Sequence, residues 1–464
     1  MKNILLVIFV FISFQFTTAQ SENGFNSLKE KSNALLEECV TYNETVGITA
    51  GIYIDGKIEW IGAVGFMDLE NKIRINANTL NRTASIAKPM TAIAILQLYE
   101  LGKLTLDDPI QKHLPYFPKK EEGEITIKHL LTHTSGIGAY ESQEEAFPTY
   151  NYNSFEEAIT IFKDRPLKHS PGSNYSYTTY GYVVLGAIIE NASGISYRDY
   201  MKQYIWDKAG MAYTDVELYG KQYPNKSKLY YKNPSGEFVP DTVTNLSVKV
   251  PGGGFYTSTE DLLKFGEAVI KNKLIKPETF IMMITDPGVK TWSNPYAMGW
   301  YIYGDENNNA GHIIGHSGSQ SGTSTQLMIN LDKEIVVATL GNTSECWNQI
   351  YDVTNKLLST ASNPETIKKP LPKVISISAQ HQEKLVGNYV GENERVRRIT
   401  KRDNQLYIYL NNDIRFRLYA TSNNNFFIRR ADITVNFIKN EKDDNFNLKI
   451  IDNGETYTYK KVQE

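Results

Sequence analysis

The sequence predicts a mixed α/β (α+β) fold, an antiparallel sheet flanked by helices and followed by a small C-terminal antiparallel β-barrel domain. Three observations predict it. The alternating runs Ile48–Ile54 and Lys57–Ile61 meet at Asp55-Gly56, and that dipeptide marks a hairpin because a type I′ turn needs positive φ at both central positions. From Met90 to Leu101 apolar side chains return with helical spacing. Beyond residue 378 the texture becomes alternation broken by Asn- and Asp-rich turns.

Taken in order, residues 1–19 read as a signal peptide: Lys2, the apolar run Ile4–Ile12, and Ala19 at a small-residue cleavage site. The run is too short to span a bilayer, so a periplasmic or secreted product is expected, with no membrane span. Residues 20–358 form the first predicted domain. It opens with a helical pattern through Phe25, Leu28, Leu35, Leu36 and Cys39, then the hairpin. A buried helix follows through Met90, Ile93, Ala94, Leu98 and Leu101, stopped by Gly102. Helices are also expected over Gly181–Asn191 and Thr259–Lys271, the latter with Thr259, Glu260 and Asp261 supplying cap and charge, and a strand over Ile335–Leu340. Residues 359–378, with Pro364, Pro370 and Pro372, read as a linker. Residues 379–464 read as the all-β domain, with strands at Leu406–Leu410, Arg415–Leu418, Ile433–Phe437 and Phe446–Ile450.

The 49 basic and 52 acidic residues leave a formal charge of −3, so no overall field favours a polyanion and nucleic acid is not an expected partner. A small-molecule or peptide substrate is. The two cysteines, Cys39 and Cys346, are too few for a disulfide scaffold and too scattered for a zinc site. Two buried thiols and one bridge both fit.

Ser85-Ile86-Ala87-Lys88 is the only Ser-x-x-Lys in the chain, at the mouth of the buried helix. Positions i and i+3 share a helix face, so the amine reaches the hydroxyl. A serine hydroxyl needs a neighbouring base before it attacks a carbonyl, and a lysine serves only if burial or a second cation lowers its pKa by about three units. A capped helix with a surface lysine has the same local pattern. Three further segments add weight: Pro171-Gly172-Ser173-Asn174-Tyr175-Ser176-Tyr177-Thr178-Thr179, Gly252-Gly253-Gly254 before a helix, and Gly315-His316-Ser317-Gly318-Ser319.

With these motifs in this order, the chain resembles the serine β-lactamase-related and penicillin-binding family, which includes class C β-lactamases, D-alanyl-D-alanine carboxypeptidases, D-aminopeptidases and esterases. Arg82–Lys88 is similar to the nucleophile segment, and Ile125–Gly136, containing Leu130-Leu131-Thr132-His133-Thr134-Ser135-Gly136, to a diagnostic loop. The resemblance covers about residues 30–350 and implies a β-lactamase-like sheet with a helical subdomain. The tail resembles the lipocalin-like domain that some relatives append. By the resemblance Ser85 is the acylated nucleophile, Lys88 shares its proton and Tyr177 relays it to the leaving group, with Tyr175 the neighbouring candidate. Thr179, His316, Gly318 and Ser319 would meet the substrate, the backbone N–H groups of Ser319 and Ser85 forming the oxyanion hole. No cofactor and no metal is implied. The resemblance also implies that the first and last helices of the domain pack together, bringing Cys39 and Cys346 near each other.

Two departures bear on substrate. Thr179 stands where the family usually has Asn, and His316 where it usually has Lys. A histidine near its reference pKa of about 6.5 gives weak, pH-dependent carboxylate recognition. The expected substrate is therefore a D-amino-acid peptide or amide, or a small acyl ester, with a β-lactam or a D-Ala-D-Ala terminus as the alternative. Two other classes compete. The i, i+4 pairs His129/His133 and His312/His316 suggest a metal hydrolase, but neither carries the Glu of a His-Glu-x-x-His motif. A catalytically silent binder of cell-wall peptides would keep the fold without needing Ser85, Lys88 and Tyr177 together.

Overall fold

The computed structural model describes residues 28–41, 44–233, 235–291, 294–304, 312–363, 372–391, 395–402, 404–409, 415–428, 433–440, 445–452 and 454–462. The signal-peptide expectation lies outside the described residues.

Strand β1 (Gly47–Ile54) and β2 (Lys57–Asp68) turn through Asp55 at φ 51° and Gly56 at φ 84°, the two positive values that Asp-Gly predicts. β2 continues past Ile61 because its antiparallel register with β1 extends to Gly47 opposite Gly65. Gly62, Ala63 and Gly65 hide that continuation in the sequence. With β3 (Ile73–Arg74), β4 (Tyr301–Gly304), β5 (Ile313–Gln320), β6 (Thr323–Asn330) and β7 (Ile335–Gly341) they form one antiparallel sheet in the order β3-β2-β1-β7-β6-β5-β4.

Both faces are covered, and the period of two shows how. In β7, Ile335 and Val337 enter one core while Val336, Ala338 and Leu340 enter the other. The first core holds α1 (28–41) and, further along the chain, α5 (Trp347–Ser362). The second holds α2 (Ala87–Glu100), α3 (Thr179–Ser193) and α4 (Thr259–Ile270), together with the short helices of residues 110–159. Helix α4 is capped by Ser258, whose Oγ accepts from Asp261 N at 3.1 Å, and not by Thr259. The Thr259 hydroxyl instead donates to Thr49 Oγ1 at 2.7 Å, tying the helix to the sheet. Cys39 and Cys346 pack in the same core as buried thiols; Cys346 Sγ donates to Thr343 O at 3.2 Å.

The predicted linker starts too early. Helix α5 runs to Ser362, and Leu358, Thr360 and Ala361 are buried, so packing overrides the weak helix propensity of that Ser- and Thr-rich stretch. Residues 364–371, which carry Pro364 and Pro370, lie outside the described residues.

The second compact unit comprises Lys232–Val239 with Ile367–Glu464. A short helix α6 (Ala379–Leu385) precedes nine antiparallel strands: β8 (Gly387–Gly391), β9 (Val396–Arg402), β10 (Gln405–Tyr409), β11 (Arg415–Arg417), β12 (Tyr419–Ala420), β13 (Asn425–Ile428), β14 (Ile433–Lys439), β15 (Phe446–Asp452) and β16 (Glu455–Val462). Their order is β11-β10-β9-β8-β16-β15-β14-β13-β12. The two edge strands are separated in the chain only by Leu418, so the sheet curls until its edges nearly meet. Its interior is lined by Tyr389, Ile399, Ile408, Val435, Phe437 and Leu448, among others. Among the described residues no helix is long and apolar enough to cross a membrane.

Candidate active site

Residues Asn81–Arg82 lead into a 3₁₀ turn, Ala84–Ile86, that feeds α2. Ala84 is held at φ 46°, a left-handed conformation that costs a residue with a Cβ of order 1–3 kcal/mol and persists only where surroundings enforce it. Several contacts enforce it. Thr83 N donates to Phe255 O at 2.9 Å, and Thr325 Oγ1 donates to Thr83 O at 2.9 Å. Gly318 on β5 approaches so closely that a Cβ there would lie 2.5 Å from Thr83 O and 3.0 Å from Ala84 Cβ.

Arg82, fully buried, uses all five of its N–H donors. Nε and Nη2 grip the two carboxylate oxygens of Glu217 at 3.0 and 2.7 Å. Nη1 donates to Thr244 Oγ1 and Ser321 O, both at 3.3 Å, and Nη2 to Thr244 O at 3.2 Å. One guanidinium thus fixes the segment before Ser85 to the turn just beyond Ser319. Ser85 is half-buried between the buried Ala84 and Ile86.

Lys88 is fully buried on the first turn of α2. Its Nζ lies 3.0 Å from Ser85 Oγ, 2.8 Å from Gly252 O and 3.4 Å from Thr179 Oγ1. Burial, aided by the nearby charge of Lys249, pushes its pKa well below the usual lysine range. The glycine run matters here, because a Cβ on Gly252 would sit 2.6 Å from Thr179 Cγ2.

Burial, reinforced by Tyr301, pushes the Tyr177 phenol well above its usual pKa range, with Ser85 near enough to act against that shift. Its ring lies 4.8 Å from Lys88 Nζ. Tyr175 faces elsewhere, its hydroxyl 3.4 Å from Tyr301 Oη. Thr178 caps α3, Oγ1 accepting from Tyr180 N at 3.2 Å, which places Tyr177 and Thr179 at the helix mouth.

His316 differs from its expectation. It is 1% exposed, and burial followed by the Lys88 charge pushes its pKa down to about 3. Nδ1 lies 2.6 Å from Ser317 O and must donate to it, so Nε2 accepts from the Tyr296 hydroxyl at 3.1 Å. Both nitrogens are engaged within the protein, and burial favours the neutral ring over the partly charged histidine expected from its reference pKa. Ser319, by contrast, is exposed on β5.

The imidazoles of the two pairs are engaged separately, each by its own partners. His129 Nδ1 accepts from Thr126 N at 3.2 Å in a helix cap, and His133, at φ 57°, lies beyond the end of that helix. His312 Nδ1 is 2.9 Å from Asp332 Oδ1.

Sequence reasoning missed Lys249 and Tyr140. Lys249 is 7% exposed; its Nζ donates to Ala146 O at 2.5 Å and lies 4.9 Å from the centre of the Tyr140 ring. Burial and Arg82 push its pKa to about 8. The Tyr140 phenol is pushed up to about 12 by burial, with Thr179 acting against that shift. The one available signal was position, since Lys249 stands three residues before Gly252.

A strained turn presenting a serine to a buried lysine and a tyrosine, wedged between a helical region and an antiparallel sheet, defines a serine hydrolase of the β-lactamase type. The Beta-lactamase family model matches residues 33–357, and the chain belongs to that family. It is 30% identical over 431 residues to the human serine beta-lactamase-like protein LACTB, mitochondrial, covering 73% of this chain and 78% of that one. It is 27% identical over 440 residues to penicillin-binding protein 4* of Bacillus subtilis, covering 86% and 91%. Among solved structures, the octameric penicillin-binding protein homologue from Pyrococcus abyssi superposes with a TM-score of 0.68 at 24% identity, over 93% of this chain and 99% of that one. D-amino acid amidase from Ochrobactrum anthropi gives 0.63 at 21% identity, over 74% and 99%.

Proposed function

We propose that this hydrolase is exported and cleaves an amide or ester through an acyl-enzyme on Ser85, with a D-amino-acid peptide or amide, or a small acyl ester, as substrate. The observation that carries the mechanism is the set of partners around Lys88 Nζ. A neutral amine has two N–H groups and one lone pair. Gly252 O accepts only, so it takes one N–H; Thr179 Oγ1 takes the other; the lone pair is left for the Ser85 hydroxyl. Ser85 then donates its proton to Lys88 as Oγ forms a bond to the substrate carbonyl carbon, and the carbonyl π pair moves to oxygen. The backbone N–H groups of Ser85 and Ser319 receive that oxyanion, each donor contributing about 10²- to 10³-fold. When the tetrahedral intermediate collapses, the bond to the leaving nitrogen or oxygen breaks. The phenol of Tyr177, kept protonated by burial, gives that atom its proton and is refilled from Lys88. Water repeats the sequence in reverse and frees Ser85.

Substrates without a carboxylate next to the scissile bond are favoured by a His316 ring that burial keeps neutral and by Thr179, whose single hydroxyl is already engaged by Lys88. Amidases among the structures of this fold, including a D-stereospecific amidohydrolase from Streptomyces, support the same reading. Export rests on Lys2, Ile4–Ile12 and Ala19. The test is a hydrolysis panel of D-amino-acid amides, D-amino-acid peptides, short acyl esters and a chromogenic cephalosporin, with intact-mass detection of the acyl-enzyme. Highest kcat/KM on the cephalosporin would reject the substrate assignment. N-terminal sequencing of the exported product should begin at or near residue 20.

A further inference from the structure

His133 belongs to the loop after the short helix Ile127–Leu131 and is fully buried. Its backbone O accepts from Ser176 N at 2.8 Å, and its Nδ1 accepts from Thr178 N at 3.3 Å. These are the two residues flanking Tyr177. Its ring centroid lies 4.2 Å from that of Tyr177, inclined at 42°. A single residue therefore holds the peptide on both sides of Tyr177 and packs on its side chain.

The rest of the histidine's environment suits that task. Because Nδ1 accepts, Nε2 carries the proton, and it has no hydrogen-bond partner; the ring lies among Tyr175, Tyr182 and Tyr296 at centroid separations of 6.0, 5.2 and 4.8 Å. An N–H left facing aromatic rings is tolerated but weakly rewarded. The backbone stands at φ 57°, a conformation that disfavours most residues with a Cβ. An orphaned donor and a strained backbone at one buried residue mark a conformation retained for what it positions.

We infer that His133 is the positioning residue for Tyr177, fixing by its two backbone-directed hydrogen bonds and its ring contact the point from which the phenol reaches Ser85. The inference rests on the proposed role of Tyr177 as the proton relay. Rotation about the Tyr177 backbone by a few degrees moves a hydroxyl at the end of so long a side chain by a large part of an ångström, enough to change its reach to Ser85.

The test compares His133→Asn, His133→Gln and His133→Phe for turnover of the best ester or amide of the panel. Asn places Oδ1 near the position of Nδ1 and tolerates positive φ, so Thr178 N keeps its acceptor. Gln carries its carboxamide one atom too far, and Phe keeps only the ring. We expect kcat to fall about 10²-fold in Gln and Phe and no more than about 10-fold in Asn, with KM within about 3-fold throughout. Equal kcat in all three, or loss confined to KM, overturns the inference. The same changes are then made on Tyr177→Phe, where they should lower kcat by less than about 3-fold further, since the group they position is gone. If Tyr177→Phe alone leaves kcat within about 2-fold, the relay reading fails and takes the inference with it. If Tyr177→Phe is slow and the double variants fall by the full additional factor, the relay stands and only the positioning role is rejected. Should Gln and Phe not fold, the Asn variant in both backgrounds decides by the same criterion.

Discussion

Lys88 Nζ lies 3.0 Å from Ser85 Oγ and 2.8 Å from Gly252 O, so the carbonyl of the glycine segment holds one N–H of the amine within reach of the serine hydroxyl. The geometry explains why a lysine, ordinarily a cation, sits beside a serine with no ion pair among the described residues. Burial and Lys249 both disfavour its charged form.

Ser85→Ala removes the atom proposed to be acylated while leaving the Arg82 clamp and the Ala84 turn untouched. Its melting temperature should match wild type within a few degrees, labelling by an active-site serine probe should vanish, and kcat should drop at least about 10³-fold. Label persisting on the variant would mean that another residue is the nucleophile.

Tyr177→Phe should slow turnover about 10²-fold or more, and Tyr175→Phe by less than about 5-fold. The difference follows from their surroundings, since Tyr177 packs beside Lys88 while the Tyr175 hydroxyl is 3.4 Å from that of Tyr301. Single-turnover kinetics with both variants will show which hydroxyl the acylation step uses.

The pH profile should have an acid limb set by Lys88. Its pKa is depressed, so the amine is neutral and competent above that value, and kcat/KM falls as pH drops through it. Tyr177, with its pKa raised, stays protonated and adds no basic limb in the neutral range. Lys249→Met removes a neighbouring cation and should move the acid limb to higher pH.

The same substitution should stabilise the protein near pH 7. Lys249 has a folded pKa of about 8 against about 10.4 when unfolded, so holding it protonated in the folded state costs stability at pH values below about 8. That cost disappears as pH rises toward the unfolded value. Replacing it should raise stability by about 1–2 kcal/mol at pH 7, with the gain shrinking by pH 10; urea melts of both proteins at the two pH values measure it.

Thr179→Asn should raise kcat/KM for a cephalosporin by about 3- to 10-fold, because a carboxamide reaches further and carries two N–H donors beside its carbonyl, where threonine has one O–H and its oxygen already accepts from Lys88. His316 is neutral down to about pH 3, so the ratio of cephalosporin to neutral-ester turnover should stay flat from pH 5.5 to 8.5. A ratio that climbs toward acid pH would restore a titrating His316.

By itself the sequence determined what is local. Asp55-Gly56 fixed a turn with two positive φ values, the 3.6-residue period fixed α2, and Ser85 and Lys88 were brought to one helix face simply because i and i+3 are neighbours there. Alternation after residue 378 likewise announced a β unit, since a period of two leaves one face apolar. The tertiary structure decided whatever depends on desolvation or on partners far away in the chain. The sequence shows a histidine at 316, but only burial beside Lys88 and Tyr296 shows that it is uncharged. It shows a lysine at 249 without revealing that it is a buried second cation. Nor does any local pattern show that Arg82 answers to Glu217, or that His133 holds both neighbours of Tyr177. Periodicity is written along the chain, whereas proton affinity is set by the dielectric and the charges that folding gathers around a group.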